Sequence, residues 1–512
     1  MLVKTYGSAV FGINATTITV EVNLSIGIAF HLVGLPDSAV KESQQRINAA
    51  LKNNDLHFPG KKIVINMAPA DIRKEGSAYD LTLAVGILAA SGQITCPDLE
   101  KYIIMGELSL DGSLQPIKGV LPIAIKAREE GFKGFILPKQ NAREAAVVND
   151  LEVFAVDNIQ DVVDFLNGVK SIESTIVNTR EEFNQGIKNY DADFSDVRGQ
   201  ENVKRAMEIA AAGGHNIIMI GPPGAGKTML AKRVAGILPP FTLQEALETT
   251  KIHSVAGKID QETSLMVSRP FRSPHHTISD VALVGGGQYP QPGEISLSHN
   301  GVLFLDELPE FQRTVLEVMR QPLEDRVITI SRAKFTVEYP ASFMLVASMN
   351  PCPCGYYNHP EKDCVCSPGI RQKYLNKISG PLLDRIDIHI EVVPVPFDKL
   401  SGKEKLESSI SVRERVALAR LIQQERFNKT HGVHCNAHMS TRLIRKHCTL
   451  DESGTQLIKN AMEKVGLSAR AYDRILKVSR TIADLEKCEK IESHHLAEAI
   501  QYRSLDREGW GT

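Results

Sequence analysis

The stretch that decides the fold is GPPGAGKT, which occupies residues 221–228. It fits the phosphate-loop pattern GxxxxGK[ST] at every constrained position. The apolar run NIIMI at residues 216–220 predicts a short buried strand before it, and residues 228–237 predict a helix after it. Strand, glycine-rich loop and helix are the context in which this motif holds phosphate. The alternative is a tight glycine turn without a ligand.

The residues of this loop have distinct expected roles. Its glycines let successive backbone N–H groups point inward, and the helix start adds the positive end of a dipole, so a triphosphate can be held. Lys227 is expected to reach the β- and γ-phosphates, and the Thr228 hydroxyl to bind Mg²⁺. The candidate ATP-binding residues are Gly221, Pro222, Pro223, Gly224, Ala225, Gly226, Lys227 and Thr228.

A second apolar strand is predicted to end in adjacent carboxylates. From Gly301 the sequence reads GVLFLDELPEF, and its acidic pair is Asp306 and Glu307. In ATP hydrolysis Asp306 would hold Mg²⁺, and Glu307 would act as general base toward the attacking water. A further strand, predicted at residues 343–348, leads to Asn350, whose side chain would help to orient that water. The alternative for the acidic pair is a helix cap at a strand end.

Composition places few further limits on the protein. Its 512 residues suggest about three domains, and 43% hydrophobic with 23% charged residues is ordinary for globular domains. No apolar run reaches the roughly 18 residues of a membrane span, and no signal pattern opens the chain, so we expect a cytoplasmic protein without membrane contact. The net charge of −2 argues against a uniformly basic nucleic-acid binder. Residues 396–512 nevertheless carry a modest excess of Lys and Arg.

The patterns predict a multidomain α/β protein. Residues 1–170 mix alternating stretches with helical patterns, which indicates an α+β domain. Polar, aperiodic residues 171–194 predict a linker. Residues 195–395 alternate strands and helices as in a parallel α/β core, and residues 396–512 are helical in pattern.

Four of the eight cysteines lie within residues 352–366. The segment PCPCGYYNHPEKDCVC holds two CxC pairs, and four thiolates at this density match a closed tetrahedral zinc site of structural type. Disulfides or buried free thiols are the alternatives, and His359 is a candidate to replace one cysteine. The candidate ligands are Cys352, Cys354, Cys364 and Cys366. Elsewhere in the chain, the adjacent histidines His275 and His276 are expected to have a role in an insertion loop rather than to bind a metal.

Several motifs resemble AAA+ ATPases. The position of Asn350 is similar to the first sensor of that class. In GPLLDRIDIHI, Arg385 matches an arginine that in AAA+ relatives reaches the γ-phosphate of the neighbouring subunit. A local ion pair of Arg385 with Asp384 or Asp387 is the alternative. In LSARAYDRILKVSRTIADL, Arg470 fits the second sensor.

Over nearly the whole chain these motifs resemble the magnesium-chelatase branch of AAA+ proteins, and the domain order resembles the ComM (YifB) family. Residues 253–277 fit an insertion in the second helix of the core. Residues 326–339 (RVITISRAKFTVEY) alternate as a β-hairpin, which the branch places before the first sensor, facing the channel of a hexameric ring. Arg332 and Lys334 at its tip would then face DNA, unless the tip is merely solvated.

The ComM resemblance implies an ATP- and Mg²⁺-dependent hexameric motor. Its implied activity is bidirectional branch migration of DNA in recombination, notably when incoming single strands are integrated in natural transformation. A chelatase-like or protein-remodelling ATPase that acts on a protein partner is one rival, and an ATP-dependent peptidase is another.

Residues 1–170 resemble the proteolytic domain of Lon. Aligned on Gly76, the position of Lon's nucleophilic serine falls on Ala78, and aligned on Pro116 its partner lysine falls on Leu121. A serine nucleophile needs a base, and neither group is present at these places, so a non-proteolytic domain is expected. The matching stretches are KEGSAYDLTLAVGILAASG from Lys74, GELSLDGSLQPIKGV from Gly106 and GFILPKQNAREA from Gly134.

An active peptidase requires a different alignment. A gap of one residue would place Ser77 at the nucleophile. No lysine would then occupy the partner position, although Lys118 lies near that position in sequence.

Overall fold

The computed structural model describes residues 2–186, 192–260, 262–287, 290–332, 335–359, 361–395, 406–430, 432–465 and 468–503. The chain divides into two compact units. The first comprises Met1–Gly186 and Leu243–Val267, and the second comprises Ile187–Thr242 and Ser268–Thr512. None of the helices in the described ranges has the length and apolar character needed to cross a membrane.

The described part of the first unit holds a seven-stranded mixed sheet. Its long strands are antiparallel neighbours, and the shorter strands after them pair in parallel. In spatial order the strands are Ala29–Val33, Lys62–Ala68, Asn14–Ser25, Leu2–Phe11, Tyr102–Ile104, Gly134–Pro138 and Glu152–Val156. A small two-stranded sheet pairs Glu107–Leu108 with Leu114–Gln115.

One helix of this unit lies wholly in the core. Every residue of Asp80–Ala90 is buried, including the carboxylate of Asp80, which accepts hydrogen bonds from Arg46 at 2.6 and 2.9 Å. A charge can be buried there because its partner is supplied by the neighbouring helix. The helices of the unit are Ser38–Asn53, Asp80–Ala90, Val120–Glu129, Ala142–Ala145, Ile159–Leu166, Thr179–Gly186 and Leu243–Val255.

Two of these helices differ from the sequence expectation. The helix Thr179–Gly186 lies inside the predicted linker of residues 171–194. Glu181 and Glu182 in its first turn stabilise it, because their negative charges interact with the positive end of the helix dipole. Residues 243–267 group with the first unit, although they fall within the predicted core of residues 195–395. The cause is visible at Ser254, whose carbonyl accepts from Gly119 N–H at 3.1 Å and whose hydroxyl accepts from Leu121 N–H at 3.4 Å.

The second unit contains a five-stranded sheet in which every described pair is parallel. In spatial order its strands are Phe271–Arg272, Val302–Leu305, Met344–Met349, Ile217–Ile220 and Ile388–Glu391. The strands predicted before the phosphate loop, before the acidic pair and before Asn350 are confirmed. Because parallel strands end at the same edge, the three segments that follow these strands meet there.

Helices and two short two-stranded sheets make up most of the remaining described part of the second unit. The hairpin predicted over residues 326–339 is confirmed, with Val327–Arg332 antiparallel to Phe335–Pro340. The helical character predicted after residue 396 is also confirmed in the described residues. The helices are Glu201–Gly213, Lys227–Ile237, Asp280–Val284, Glu294–Leu297, Arg313–Val318, Arg320–Asp325, Pro368–Leu375, Gly380–Leu383, Ser409–Phe427, Thr441–His447, Glu452–Val465, Ala469–Leu485 and Ser493–Gln501.

A buried polar cluster joins the C-terminal helices of this unit. The fully buried carboxylate of Asp484 accepts from Arg426 Nη1 at 2.8 Å, from Arg480 Nε at 3.1 Å and from Asn436 Nδ2 at 2.8 Å. These donors come from three different segments. The carboxylate therefore holds the helices Ser409–Phe427 and Ala469–Leu485 in register.

We expect Asp484→Ala to lower the free energy of unfolding by about 3–5 kcal/mol, because it leaves two arginines buried without their anion. Equilibrium urea denaturation followed by circular dichroism measures the change. The matched control is Asp473→Ala on the same helix, a half-buried position, where a change within about 0.5 kcal/mol is expected. Equal stability of the two variants would contradict the structural importance of this cluster.

Candidate nucleotide-binding site

The phosphate loop follows the buried strand Ile217–Ile220 and leads into the helix Lys227–Ile237. Gly224 and Gly226 have φ of 79° and 88°, a region that favours glycine. A Cβ at Gly221 would collide with the carbonyl oxygen of Val392, so this position also requires glycine. The glycines thus have the conformational role that the motif predicts.

The side chain of Lys227 lies folded inside the loop. Its Nζ donates to the carbonyl oxygens of Gly221 at 2.7 Å and Pro222 at 3.0 Å, and to Oδ1 of Asn350 at 3.1 Å. Burial lowers the pKa of Lys227, while the negative charges of Asp306 and Glu307 act against that shift. The ammonium group is therefore held by neutral oxygens at the place where a phosphate would supply a full negative charge.

A hydroxyl and carboxylate group lies beside the loop. Thr228 Oγ1 donates to Asp306 Oδ2 at 2.7 Å, and Ser348 Oγ donates to Asp306 Oδ1. Mg²⁺ prefers oxygen ligands such as these and is commonly held by one or two protein groups together with substrate phosphates. The residues therefore fit the ion, with Thr228 and Asp306 as its predicted ligands.

Glu307 has an unusual backbone conformation for a non-glycine residue. Its φ is 53°, and its backbone N–H donates to Asp306 Oδ1 at 3.0 Å. Such strain is concentrated at functional sites. The side chain of Glu307 is 55% exposed, and His276 Nδ1 lies 3.7 Å from its Oε2. One ring of the histidine pair therefore lies beside the candidate general base. The loop role of the pair stays a prediction.

The two candidate arginines have partners that the sequence did not indicate. Arg385 donates through Nη2 to the carboxylate of Glu324 and through Nη1 to the carbonyl oxygen of Pro381 at 2.7 Å. The alternative of a local pair with Asp384 or Asp387 is wrong. Asp384 instead pairs with Arg470 at 3.2 Å, and Asp387 pairs with Arg474 at 2.8 Å.

The predicted DNA-facing residues lie at the limit of the described chain. Lys334 lies outside the described residues, and for Arg332 only the backbone is described, as the last residue of the strand Val327–Arg332. Their role stays a prediction.

The four cysteines of residues 352–366 converge. Their sulfur atoms all lie within 4.8 Å of one another, with Cys352 Sγ at 3.3 Å from Cys354 Sγ and both at 3.7 Å from Cys364 Sγ. Four sulfurs at about 2.3 Å from a tetrahedral zinc would lie about 3.8 Å apart, so the residues fit that ion. All eight cysteines are free thiols, which does not favour the disulfide alternative. His359 Nδ1 accepts from Glu361 and Lys362 N–H instead of joining the sulfurs.

The positions compared with Lon catalytic residues hold groups without that chemistry. Leu121 is fully buried. The hydroxyl of Ser77 donates to the carboxylate of Glu107, and the side chain of Lys118 packs against Gly257. The contacts of these residues thus do not form a serine–lysine pair.

Sequence reasoning missed the partners of the candidate residues. Ser348 carries a weak signal, because it lies at the end of the strand that leads to Asn350. Glu324 carries none, since acidic residues are common on helix surfaces. It is separated from Arg385 by 61 residues.

Comparison with known proteins agrees with this geometry. Residues 193–400 match the family model of magnesium chelatase subunit ChlI, residues 20–141 match a second ChlI model, and residues 406–503 match the ChlI C-terminal model. The chain is 46% identical to competence protein ComM of Haemophilus influenzae, covering 98% of this chain and 97% of the relative.

Two further relatives are informative. Protein YifB of Escherichia coli is 44% identical, with 98% of this chain and 96% of the relative covered. Lon protease 2 of Bacillus subtilis is 31% identical over 159 residues, which is 28% of this chain and 27% of that protein. The first similarity spans the chain, whereas the second covers one part of it.

We expect Lys227→Ala to lose nucleotide binding, because the buried cation at the phosphate position is removed. Glu307→Gln should instead retain binding and lose turnover by about 10²–10⁴-fold, the usual contribution of a general base. Fluorescent-nucleotide titration and steady-state phosphate release separate the two effects. Glu310→Gln, three residues further on and paired with Lys377 at 3.2 Å, is the matched control that should keep both activities. Normal turnover in Glu307→Gln would exclude this residue as the base.

Proposed function

The chain belongs to the ComM/YifB family of magnesium-chelatase-like AAA+ proteins, and from this premise we propose that it is an ATP-driven ring motor for branched DNA. The family supports ATPase activity. The observation that carries the ATPase part of the proposal is the convergence of Lys227, Thr228, Asp306 and Asn350 at one edge of the parallel sheet. These residues come from three strand ends and form one connected polar site.

ATP hydrolysis follows from the roles of these side chains. Lys227 would exchange carbonyl oxygens for the β- and γ-phosphates, and Thr228 with Asp306 would hold Mg²⁺. The ion, when bound, neutralises charge that develops on the phosphate oxygens. Glu307 accepts the proton of the attacking water, and Asn350 orients that water from the neighbouring strand.

A ring supplies the remaining charge. In the proposed hexamer Arg385 reaches the γ-phosphate of the adjacent subunit, and Arg470 acts as the second sensor of the bound phosphate. Positive charge placed at the breaking β–γ bond stabilises the transition state more than the ground state. This arrangement makes hydrolysis depend on assembly.

The DNA substrate rests on the family. The relative from Haemophilus influenzae is named as a competence protein, which supports a role in recombination during natural transformation. The hairpin of Val327–Arg332 and Phe335–Pro340 offers a structural element for contact with DNA. The sequence-based prediction that Arg332 and Lys334 face the DNA is part of this proposal. A phosphate backbone is bound mainly by such cations. We infer cytoplasmic action on branched DNA.

We further propose a structural zinc in the cysteine cluster. The backbone N–H of Tyr356 is the main cause that lowers the pKa of Cys354 to about 6, whereas burial is the main cause that raises the pKa of Cys352, so one thiolate of the cluster is favoured before a metal binds. Four cysteine ligands leave no open position for catalysis. Cys352 follows Asn350 by two residues, so the metal would stabilise the chain that leaves the candidate sensor.

For the first unit we propose a Lon-like fold without peptidase activity. Ala78 lacks a nucleophile, and Leu121 is a buried apolar residue at the position of the base. The partial match to Lon protease 2 supports the likeness. In this proposal the first unit has a structural role or helps to organise the substrate.

The second candidate function is an ATPase that acts on a protein partner. It is supported by the three matches to models of magnesium chelatase subunit ChlI. The DNA experiment below separates it from the motor.

We expect a synthetic four-way DNA junction to stimulate steady-state ATP hydrolysis several-fold, with dissociation of the junction in the same reaction. A motor couples the two, so Glu307→Gln should abolish both while the junction still binds. Phosphate release and gel analysis of the junction are measured together. Hydrolysis without any response to DNA would overturn the DNA motor and favour the protein-directed candidate.

We expect the purified protein to contain about one zinc per chain, and Cys364→Ser or Cys366→Ser to lose most of it, because a closed site needs all four thiolates. Atomic emission spectroscopy gives the metal content. Cys488→Ser, a half-buried thiol outside the cluster, is the control that should retain zinc. Zinc-free wild-type protein prepared with its thiols reduced would overturn the assignment.

A further inference from the structure

Both arginines proposed to act on phosphate lie beside carboxylates of the same unit. Arg470 Nη1 is 3.2 Å from Asp384 Oδ2, and Arg385 donates through Nη2 to Glu324. Asp384 and Arg385 are consecutive residues, so the two pairs diverge from one turn. One pair reaches the helix Ala469–Leu485, and the other reaches the helix Arg320–Asp325 that leads into the hairpin.

A carboxylate and a phosphate compete for the same guanidinium. Both present oxygens that accept the parallel N–H groups of arginine, and both neutralise its charge. An arginine paired with a carboxylate therefore has to exchange that partner before it stabilises phosphate. The exchange changes the affinity for ATP if it precedes binding, and the rate of turnover if it precedes the chemical step.

The two pairs differ in how firmly they hold their arginine. The side chain of Arg470 is 67% exposed, so its pair with Asp384 is weak and exchange is easy. The side chain of Arg385 is only 15% exposed, and its Nη1 is held by Pro381 O at 2.7 Å. Its buried Nε has no hydrogen-bond partner among the described residues. An unsatisfied buried donor is costly and favours release toward another acceptor.

The turn itself is anchored independently of these pairs. Asp387 is buried and is held by Arg474 at 2.8 Å and by His215 Nδ1 at 3.1 Å. The carbonyl of Arg385 accepts from Asn216 Nδ2 at 2.9 Å. The backbone of the turn is thus fixed to the sheet, and partner exchange is left to the side chains.

We propose that Asp384 and Glu324 are positioning residues that withhold Arg470 and Arg385 from phosphate until nucleotide displaces them. The inference rests on the proposed ATPase function and assigns two residues to its control. Asp384 limits the affinity for ATP through Arg470. Glu324 limits turnover through Arg385.

Asp384→Asn is expected to tighten the Kd for a non-hydrolysable ATP analogue about two- to fivefold, the range of an exposed ion pair. The same change in an Arg470→Ala background should have no effect on Kd, because the withheld group is gone. Asp473→Asn, three residues after Arg470, is the matched control with unchanged Kd. An unchanged or weaker Kd in folded Asp384→Asn overturns this half of the inference, whereas a merely structural role for Asp384 predicts that result.

Glu324→Gln is expected to raise kcat about two- to fivefold at saturating ATP, with Kd unchanged. In an Arg385→Ala background the increase should disappear. The neighbouring exposed carboxylate provides the control Asp325→Asn, with unchanged kcat. Folded Glu324→Gln with unchanged or lower kcat overturns the second half.

Failure of the inference is distinguishable from failure of the proposed function. Wild-type protein that binds and hydrolyses ATP while both variants behave as their controls overturns only the inference. Wild-type protein that neither binds nor hydrolyses ATP overturns both. Thermal melting of each variant verifies that it is folded before its kinetics are interpreted.

Discussion

Burial of the Asp387 carboxylate is the constraint on which the arrangement of sheet, turn and C-terminal helix in the second unit depends. An ionised group in the interior is tolerated only when it is paired and hydrogen-bonded. Although burial raises its pKa, Arg474 and His215 hold the pKa of Asp387 well below its usual range. Because Arg474 lies on the helix Ala469–Leu485 and His215 precedes the phosphate-loop strand, sheet and helix have to meet at this carboxylate.

The consequence extends along the chain on both sides of Asp387. His215 Nε2 lies 2.8 Å from Thr481 Oγ1, which adds a second link to the same helix. The carbonyl oxygen of Asn216 accepts hydrogen bonds from the backbone N–H groups of Asp387 and Ile388, both at 3.0 Å. The strand Ile388–Glu391 at the side of the sheet therefore begins at a defined register. Asp384 and Arg385 then project from a turn whose position is already determined. Their pairs with Arg470 and Glu324 follow from that placement.

The carboxyl ends of the parallel strands lie opposite the end of the sheet at which Asp387 is held. They bring together charged groups that each need a ligand of opposite charge. Lys227 is buried among neutral oxygens, while Asp306 collects hydroxyl donors from Thr228 and Ser348. The ammonium group of Lys227 and the carboxylate of Asp306 lie in one site without forming an ion pair with each other. This arrangement favours a phosphate at Lys227 and a metal ion at Asp306. In the first unit, by contrast, the positions compared with the catalytic groups of Lon hold Ala78 and the buried Leu121. Neither side chain can act as a nucleophile or a base.

The sequence by itself determined the phosphate loop, the strands around it, the hairpin and the cysteine cluster. These depend on local spacing: glycines at fixed intervals, apolar runs bounded by polar ends, and thiols close along the chain. Only the tertiary structure decided which carboxylate pairs with Arg385 or Arg470, since the partners are 61 and 86 residues away. It also assigned Leu243–Val267 to the first unit. The physical reason is that charges and exposed helix faces carry no local signal of their partners, which are selected when distant segments pack.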